Sequence, residues 1–217
     1  MQPPPAVAEY AQTCLRYVQT SLGVPLDFEP ETLPLLDHYL RQARSDATRR
    51  PETIPLLAAV AGSYLGELLR LRHGGSWSAD DPDPHAWLLH LAAAPVTVLP
   101  VVLALESITG QPDPDVAPIQ VADDLRQALT DHLANLPEVS EDDFLSPSTR
   151  VEVIDIAVDL LRAFRAARSG QSLDGVQGHI EPVVRVPDEL DNDTPPAAED
   201  ADEDGDDPQQ DEPPTRS

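Results

Sequence analysis

The sequence predicts a mainly α-helical domain with a small antiparallel β-sheet, an α+β arrangement, followed by a disordered acidic C-terminal tail. Three observations predict it. Apolar residues recur at three- and four-residue spacing through several long segments, the signature of helices with one buried face. Between residues 76 and 99 that period gives way to short apolar runs broken by Gly, Pro and Asp, which read as strands and turns. Beyond residue 187 almost nothing apolar remains, and a segment with so little to bury stays disordered. The expected division is a helical domain over 1–170 with its sheet at about 76–99, an extended segment over 171–187, and the acidic tail over 188–217.

The first helix is expected over 6–22. Val7, Ala11, Cys14, Val18 and Leu22 form its stripe and Gly23 stops it. Cys14 falls on that stripe and reads as a small core residue. A near-repeat follows, with Pro30-Glu31-Thr32-Leu33-Pro34-Leu35-Leu36 echoed by Pro51-Glu52-Thr53-Ile54-Pro55-Leu56-Leu57. In each copy the threonine is an N-cap candidate, and the second proline sits in the first turn, where a missing N–H costs little. Two helices are therefore expected, over 33–46 and 54–73. Leu33, Leu36, Leu40 and Ala43 line the first; Ile54, Leu57, Ala61, Leu65 and Leu68 line the second.

Strands are expected at 76–78, 86–91 and 95–99, then a helix over 100–109 stopped by Gly110. The proline-rich stretch 111–118 reads as a connector. Ala122, Leu125, Leu129, Leu133 and Leu136 mark the next helix. Ser146-Pro147 starts the last one as N-cap and first-turn proline. Val151, Ile154, Val158, Leu161 and Phe164 line that helix, and Gly170 ends it.

Charge narrows the function classes. The net charge of −25 divides almost evenly: the tail holds thirteen Asp and Glu against one Arg, a net of −12, and residues 1–187 hold the other −13. Nucleic acid and anionic membrane are polyanions bound through Lys and Arg clusters, so both are disfavoured as partners. There is no lysine at all, and the abundance of Ala, Leu, Pro, Asp and Arg points to a GC-rich bacterial genome. One cysteine builds neither an internal disulfide nor a Cys-based metal site. The start Met1-Gln2-Pro3-Pro4-Pro5 lacks the basic and apolar regions of a secretory signal, so cytoplasm is the expected compartment. Residues 86–105 contain no Asp, Glu, Lys or Arg. They also contain His90, Pro95 and Pro100 and have acidic flanks, so a buried strand, a turn and a buried helix fit better than a membrane span.

The densest pattern is Gly62-Ser63-Tyr64-Leu65-Gly66-Glu67, then Arg70, then Gly74-Gly75-Ser76-Trp77. Gly62 and Gly66 lie one turn apart on one helix face, where a neighbouring backbone gains close approach in return for roughly 1 kcal/mol per glycine. Glu67 shares a face with Tyr64, Val60 and Leu71. It is the candidate for a partly buried carboxylate partnered by Arg70, Tyr64 or a backbone N–H. One reading makes Glu67 catalytic in a helix–sheet cleft, with Tyr64, Arg70 and Trp77 as binding residues. The other makes the whole cassette a packing corner.

The cassette resembles one in several families of uncharacterised bacterial proteins, where a helix carrying glycine-x-tyrosine-x-glycine-glutamate runs into a glycine-rich turn and a tryptophan. The matching residues are Gly62, Tyr64, Gly66, Glu67, Gly74, Gly75 and Trp77, with Trp87 on the next strand. The resemblance spans about residues 54–105. It implies a helical domain with a small sheet and brings no activity with it.

No metal or cofactor is expected. The six histidines are scattered, and no two stand four apart on one helix. Asp80, Asp81, Asp83 and His85 lack the glycine and distal glutamate of an EF-hand. Asp155 and Asp159, near Arg162, read as a solvated face. Nucleophile elbows, phosphate loops and dinucleotide fingerprints are missing too. The leading expectation is a non-enzymatic, inhibitory or immunity-like module that binds a basic protein partner. The alternatives are an enzyme of unrecognised type using Glu67 and a scaffold whose tail confers solubility. The sequence specifies no oligomeric state.

Overall fold

Residues 2–47, 49–135 and 139–168 are described by the computed structural model. The expected extended segment at 171–187 and acidic tail at 188–217 lie outside the described residues, as do Leu136 and Gly170.

Helix α1 (Pro5–Leu22) buries the stripe Val7, Ala11, Cys14 and Val18 and ends at Gly23 in the left-handed region, φ 74°. The two repeat copies fold alike: each forms a short 3-10 turn, Pro30–Thr32 and Pro51–Thr53, leading straight into α2 (Leu33–Ala47) and α3 (Ile54–His73). The threonines do not cap these helices. Thr32 Oγ1 donates to Asp27 Oδ1 at 2.9 Å and Thr53 Oγ1 to the Arg50 carbonyl at 2.8 Å. The preceding 3-10 turn explains this. It puts Thr53 in helical backbone, φ −86° and ψ −18°, rather than the extended conformation that aims an N-cap oxygen at the helix N–H groups.

Helix α3 is the centre of the described domain. Every residue from Ala58 to Leu69 is buried, because α1 packs on one side, α4 (Pro100–Thr109) on another, and the sheet covers a third. Among the described residues only Pro51–His73 is long and apolar enough to cross a membrane, at mean hydropathy 1.4, and 67% of its apolar window is buried inside the protein. Residues 86–105, apolar and free of charge, fold into strands, turns and α4 rather than one span.

Strands β1 (Gly75–Ser78), β2 (Leu88–Leu91), β3 (Val96–Val98) and β4 (Ile119–Val121) form one antiparallel sheet in that order. Its register separates two rows. Trp77, Leu89, Val98 and Ile119 stand opposite one another across the sheet, as do Ser76, His90, Thr97 and Gln120. Because side chains alternate along a strand, the first row packs on the core and the second faces away from it. The strand expected from 86 starts at Leu88, since Pro84–Ala86 forms a 3-10 turn in which Asp83 accepts the His85 N–H at 3.0 Å. The sequence reading did not include β4, which extends the sheet beyond the expected 76–99.

Helix α5 (Asp123–Leu133) is followed by the unanticipated one-turn α6 (Glu141–Phe144), whose N-cap Ser140 accepts the Asp143 N–H. Helix α7 (Pro147–Arg168) is capped twice. Ser146 Oγ accepts the Thr149 N–H at 3.4 Å, and Asp37, reaching over from α2, accepts the Ser148 N–H at 3.0 Å. Burial pushes the Asp37 carboxyl above its ordinary value, and the bonds from Ser148 offset part of that. Val151, Ile154, Val158 and Leu161 are buried as expected, whereas Phe164 is 37% exposed because α7 runs on past its last buried residue, Leu161.

Candidate functional site

Only Gly74 separates the end of α3 from β1, so the chain reverses tightly and carries Trp77 back across the helix. The indole lies over Gly66. A Cβ built there would stand 2.2 Å from Trp77 Cη2 and 2.3 Å from Cζ2, so only glycine leaves room for the ring. One turn earlier, a Cβ on Gly62 would meet Val101 Cα at 2.5 Å and the Pro100 carbonyl oxygen at 2.7 Å, which fixes how closely α4 crosses α3. The expected close approach therefore involves backbone at Gly62 and an aromatic ring at Gly66.

Placed there, Trp77 Nε1 donates to Glu67 Oε1 at 2.7 Å. Arg70 closes the other side, with Nε donating to Oε1 at 2.8 Å and Nη2 to Oε2 at 2.9 Å. Glu67 is 6% exposed, so three N–H donors compensate a carboxylate removed from water, as the desolvation of an ion demands. The hydrogen bond to Glu67 holds the Arg70 guanidinium above even its ordinary high value.

Three of the four residues named from the sequence, Glu67, Arg70 and Trp77, thus come together. Tyr64 does not join them. Its ring stacks on Phe28 with centroids 4.8 Å apart, and its hydroxyl accepts the Phe28 N–H at 3.1 Å. Burial is the main cause that pushes the Tyr64 phenol up to about 12. Phe28 itself holds φ 64°, a conformation costly for a bulky residue, and Tyr64 clamps the loop between α1 and α2 that imposes it. Leu71, expected on the Glu67 face, is 59% exposed, so the buried face ends before it.

This arrangement suits a structural knot better than acid–base chemistry. Both Glu67 oxygens are occupied, and a reacting group would have to displace Arg70 or Trp77. Two surface cavities, of about 520 and 480 Å³, are lined by other residues.

Two further ionic clusters bear on the fold. Asp155, expected on a solvated face, accepts from Arg72 Nε at 2.9 Å and contacts His73 Nε2 at 2.7 Å, fastening α7 to the end of α3. Burial pushes Asp155 up, but the bonds from His73 and Arg72 outweigh it and hold the carboxyl below its ordinary value. Asp159 does remain exposed, with Arg162 at 3.9 Å. The second cluster was missed altogether. Glu106 on α4 is 2% exposed, accepts from Arg150 Nη2 at 2.6 Å and accepts the Asp113 N–H at 3.0 Å. Burial raises Glu106 and lowers Arg150 relative to their ordinary values. The signal available was spacing: Glu106 stands four residues after Val102 and three after Leu103, squarely on an apolar face.

His90 and the acidic turn have local structural duties. His90 sits between Ser78 Oγ at 3.2 Å and Thr97 Oγ1 at 3.0 Å. Asp81 and Asp83 accept backbone N–H groups two residues on, and the Asp81 carbonyl accepts from Trp87 Nε1 at 2.7 Å. Among the described residues no group of three or more His, Cys, Asp or Glu could hold a metal ion. Cys14 is buried, and desolvation pushes its thiol up to about 12, far from a reactive thiolate.

Comparison with protein-family models, with curated proteins and with solved structures finds no match to this chain.

Proposed function

We propose that this protein is a non-enzymatic cytoplasmic interaction module that binds a basic protein partner, as a small acidic inhibitor or immunity-like protein does. The observation that carries the reading is the surplus of carboxylate on the body as well as in the tail, −13 within residues 1–187 and −12 beyond them. The disposition of arginine supports it. Arg44, Arg70, Arg72, Arg126 and Arg150 each bond an acid of the same chain, which leaves the excess of exposed charge negative. Exposed acids without an ion pair among those above include Asp80, Asp81 and Asp83 on one turn and Glu29 and Glu31 on another. Such a surface accelerates encounter with a basic partner and makes the complex sensitive to salt. The engagement of both Glu67 oxygens favours this reading over an enzyme built on that residue.

The test is capture of partners by the full chain and by a truncation ending at Pro187, side by side, over a salt series. Basic proteins retained at low ionic strength and released at high are the expected result. Retention indifferent to salt, or no retention by either chain, overturns the proposal. A partner held only by the full chain assigns the electrostatic capture to the tail.

A further inference from the structure

We infer that the cavity between the loop after α4 and helix α6 receives an arginine side chain of the basic partner, an assignment that rests on the binding reading above. The cavity measures about 480 Å³, within the range of side-chain and small-ligand sites. Its walls are Pro112, Val139, Phe144 and Leu145, and Gln111 and Glu141 supply its polar lining.

Three observations select the occupant. First, Phe144 and Val139 are 41% and 53% exposed, large apolar side chains that line the cavity. Second, the Phe144 ring already accommodates a guanidinium: the Arg150 Cζ stands 4.3 Å from its centroid. Glu106 neutralises Arg150 from the buried side, so that cation does not repel another across the ring. Third, charge complementarity points to a cation. Glu141 opens the run Glu141-Asp142-Asp143, in which Asp142 bonds Arg44 and Asp143 bonds the capping Ser140. Glu141 is exposed and lines the cavity, where it can take a cation from outside the chain.

An aromatic face next to a carboxylate fits arginine better than lysine. A planar guanidinium stacks on the ring while its N–H fork reaches the carboxylate, whereas an ammonium is a compact, strongly hydrated point charge. The Gln111 carboxamide, also on the lining, adds an acceptor.

The experiment titrates the full chain with a glycine-spaced arginine peptide and with its lysine counterpart at low salt. Amide and aromatic NMR shifts give the location, and fluorescence anisotropy gives the affinity. The expected result is a shift maximum at Gln111, Glu141 and Phe144, with arginine bound more tightly than lysine. Phe144→Leu keeps an apolar cover over Arg150 but removes the ring face, and should weaken the arginine peptide about two- to fivefold and erase the preference. Glu141→Gln, at an exposed side chain with no role in packing, should weaken both peptides by up to about fivefold. If shifts spread evenly over the acidic surface and neither variant changes affinity, the cavity assignment is overturned while electrostatic binding stands. Failure of the unmodified chain to bind either peptide overturns both.

Discussion

Glu67→Gln separates the structural reading of the α3–β1 corner from the catalytic one. The carboxylate accepts three N–H donors at 2.7–2.9 Å, two from Arg70 and one from Trp77. Glutamine keeps one oxygen, and its amide group opposes a guanidinium N–H where Oε2 stood. Breaking a buried ion pair typically costs about 3–5 kcal/mol. The Arg70 side chain is 14% exposed and regains some water, which places the expected loss at the lower end, about 2–4 kcal/mol. For a body of this size each kcal/mol lowers the melting temperature by about 2–4 °C, so a fall of roughly 4–16 °C is expected. Urea unfolding followed by tryptophan fluorescence measures the stability, and because the retained oxygen still accepts the indole N–H, the loss falls on the Arg70 contact. A Gln variant as stable as the parent, within about 0.5 kcal/mol, would refute the knot and return Glu67 to the list of functional carboxylates.

Gly66→Ala should destabilise the domain by about 1–3 kcal/mol even though alanine favours a helix by about 1 kcal/mol, because its Cβ meets the Trp77 ring at 2.2 Å; equal or greater stability in urea unfolding contradicts the packing described. Arg150→Met should cost about 3–5 kcal/mol by stranding buried Glu106, and the double variant with Glu106→Gln should recover a large part of it, measured as a double-mutant cycle. Asp155 carries a folded-state value below its ordinary 3.8, so its stabilisation is fully present above that value and is lost as pH falls through the lower folded one. Denaturant midpoints of the parent and Asp155→Asn should therefore differ at neutral pH and converge as pH falls through that lowered folded value; a gap that stays constant on acidification contradicts the latch.

The helices were legible because their signals are local. The stripe Val7, Ala11, Cys14, Val18 repeats every three or four residues and is the buried face of α1, and Ser146-Pro147 marks the start of α7 in advance. Glu67 was legible as a partly buried carboxylate for the same reason, and Arg70, one turn on, as one of its three candidate partners beside Tyr64 and a backbone N–H. What failed was nonlocal or too short. Strand β4 has three residues and follows a proline-rich connector, too little for alternation to register. Asp155 looks like any surface carboxylate until α7 is laid against the end of α3, 82 residues earlier in the chain. Tyr64 shares a helix face with Glu67 in projection, yet its partner is a loop N–H 36 residues away.

These clusters have a common cause in the chain's use of arginine as its sole strong cation. With no lysine, compensation of the buried and half-buried acids falls largely to guanidinium groups: Glu67, Glu106 and Asp155 each hold one. Cations committed to internal struts are withdrawn from the surface, and the remaining acids repel one another. That repulsion weakens the compact state, and on the binding proposed above a basic partner would relieve it. Salt therefore acts in opposite senses on the two equilibria. It screens repulsion within the free protein and so favours its folded form, and it screens attraction in the complex and so favours dissociation. On the proposed reading, association and folding would thereby be coupled through the same carboxylates.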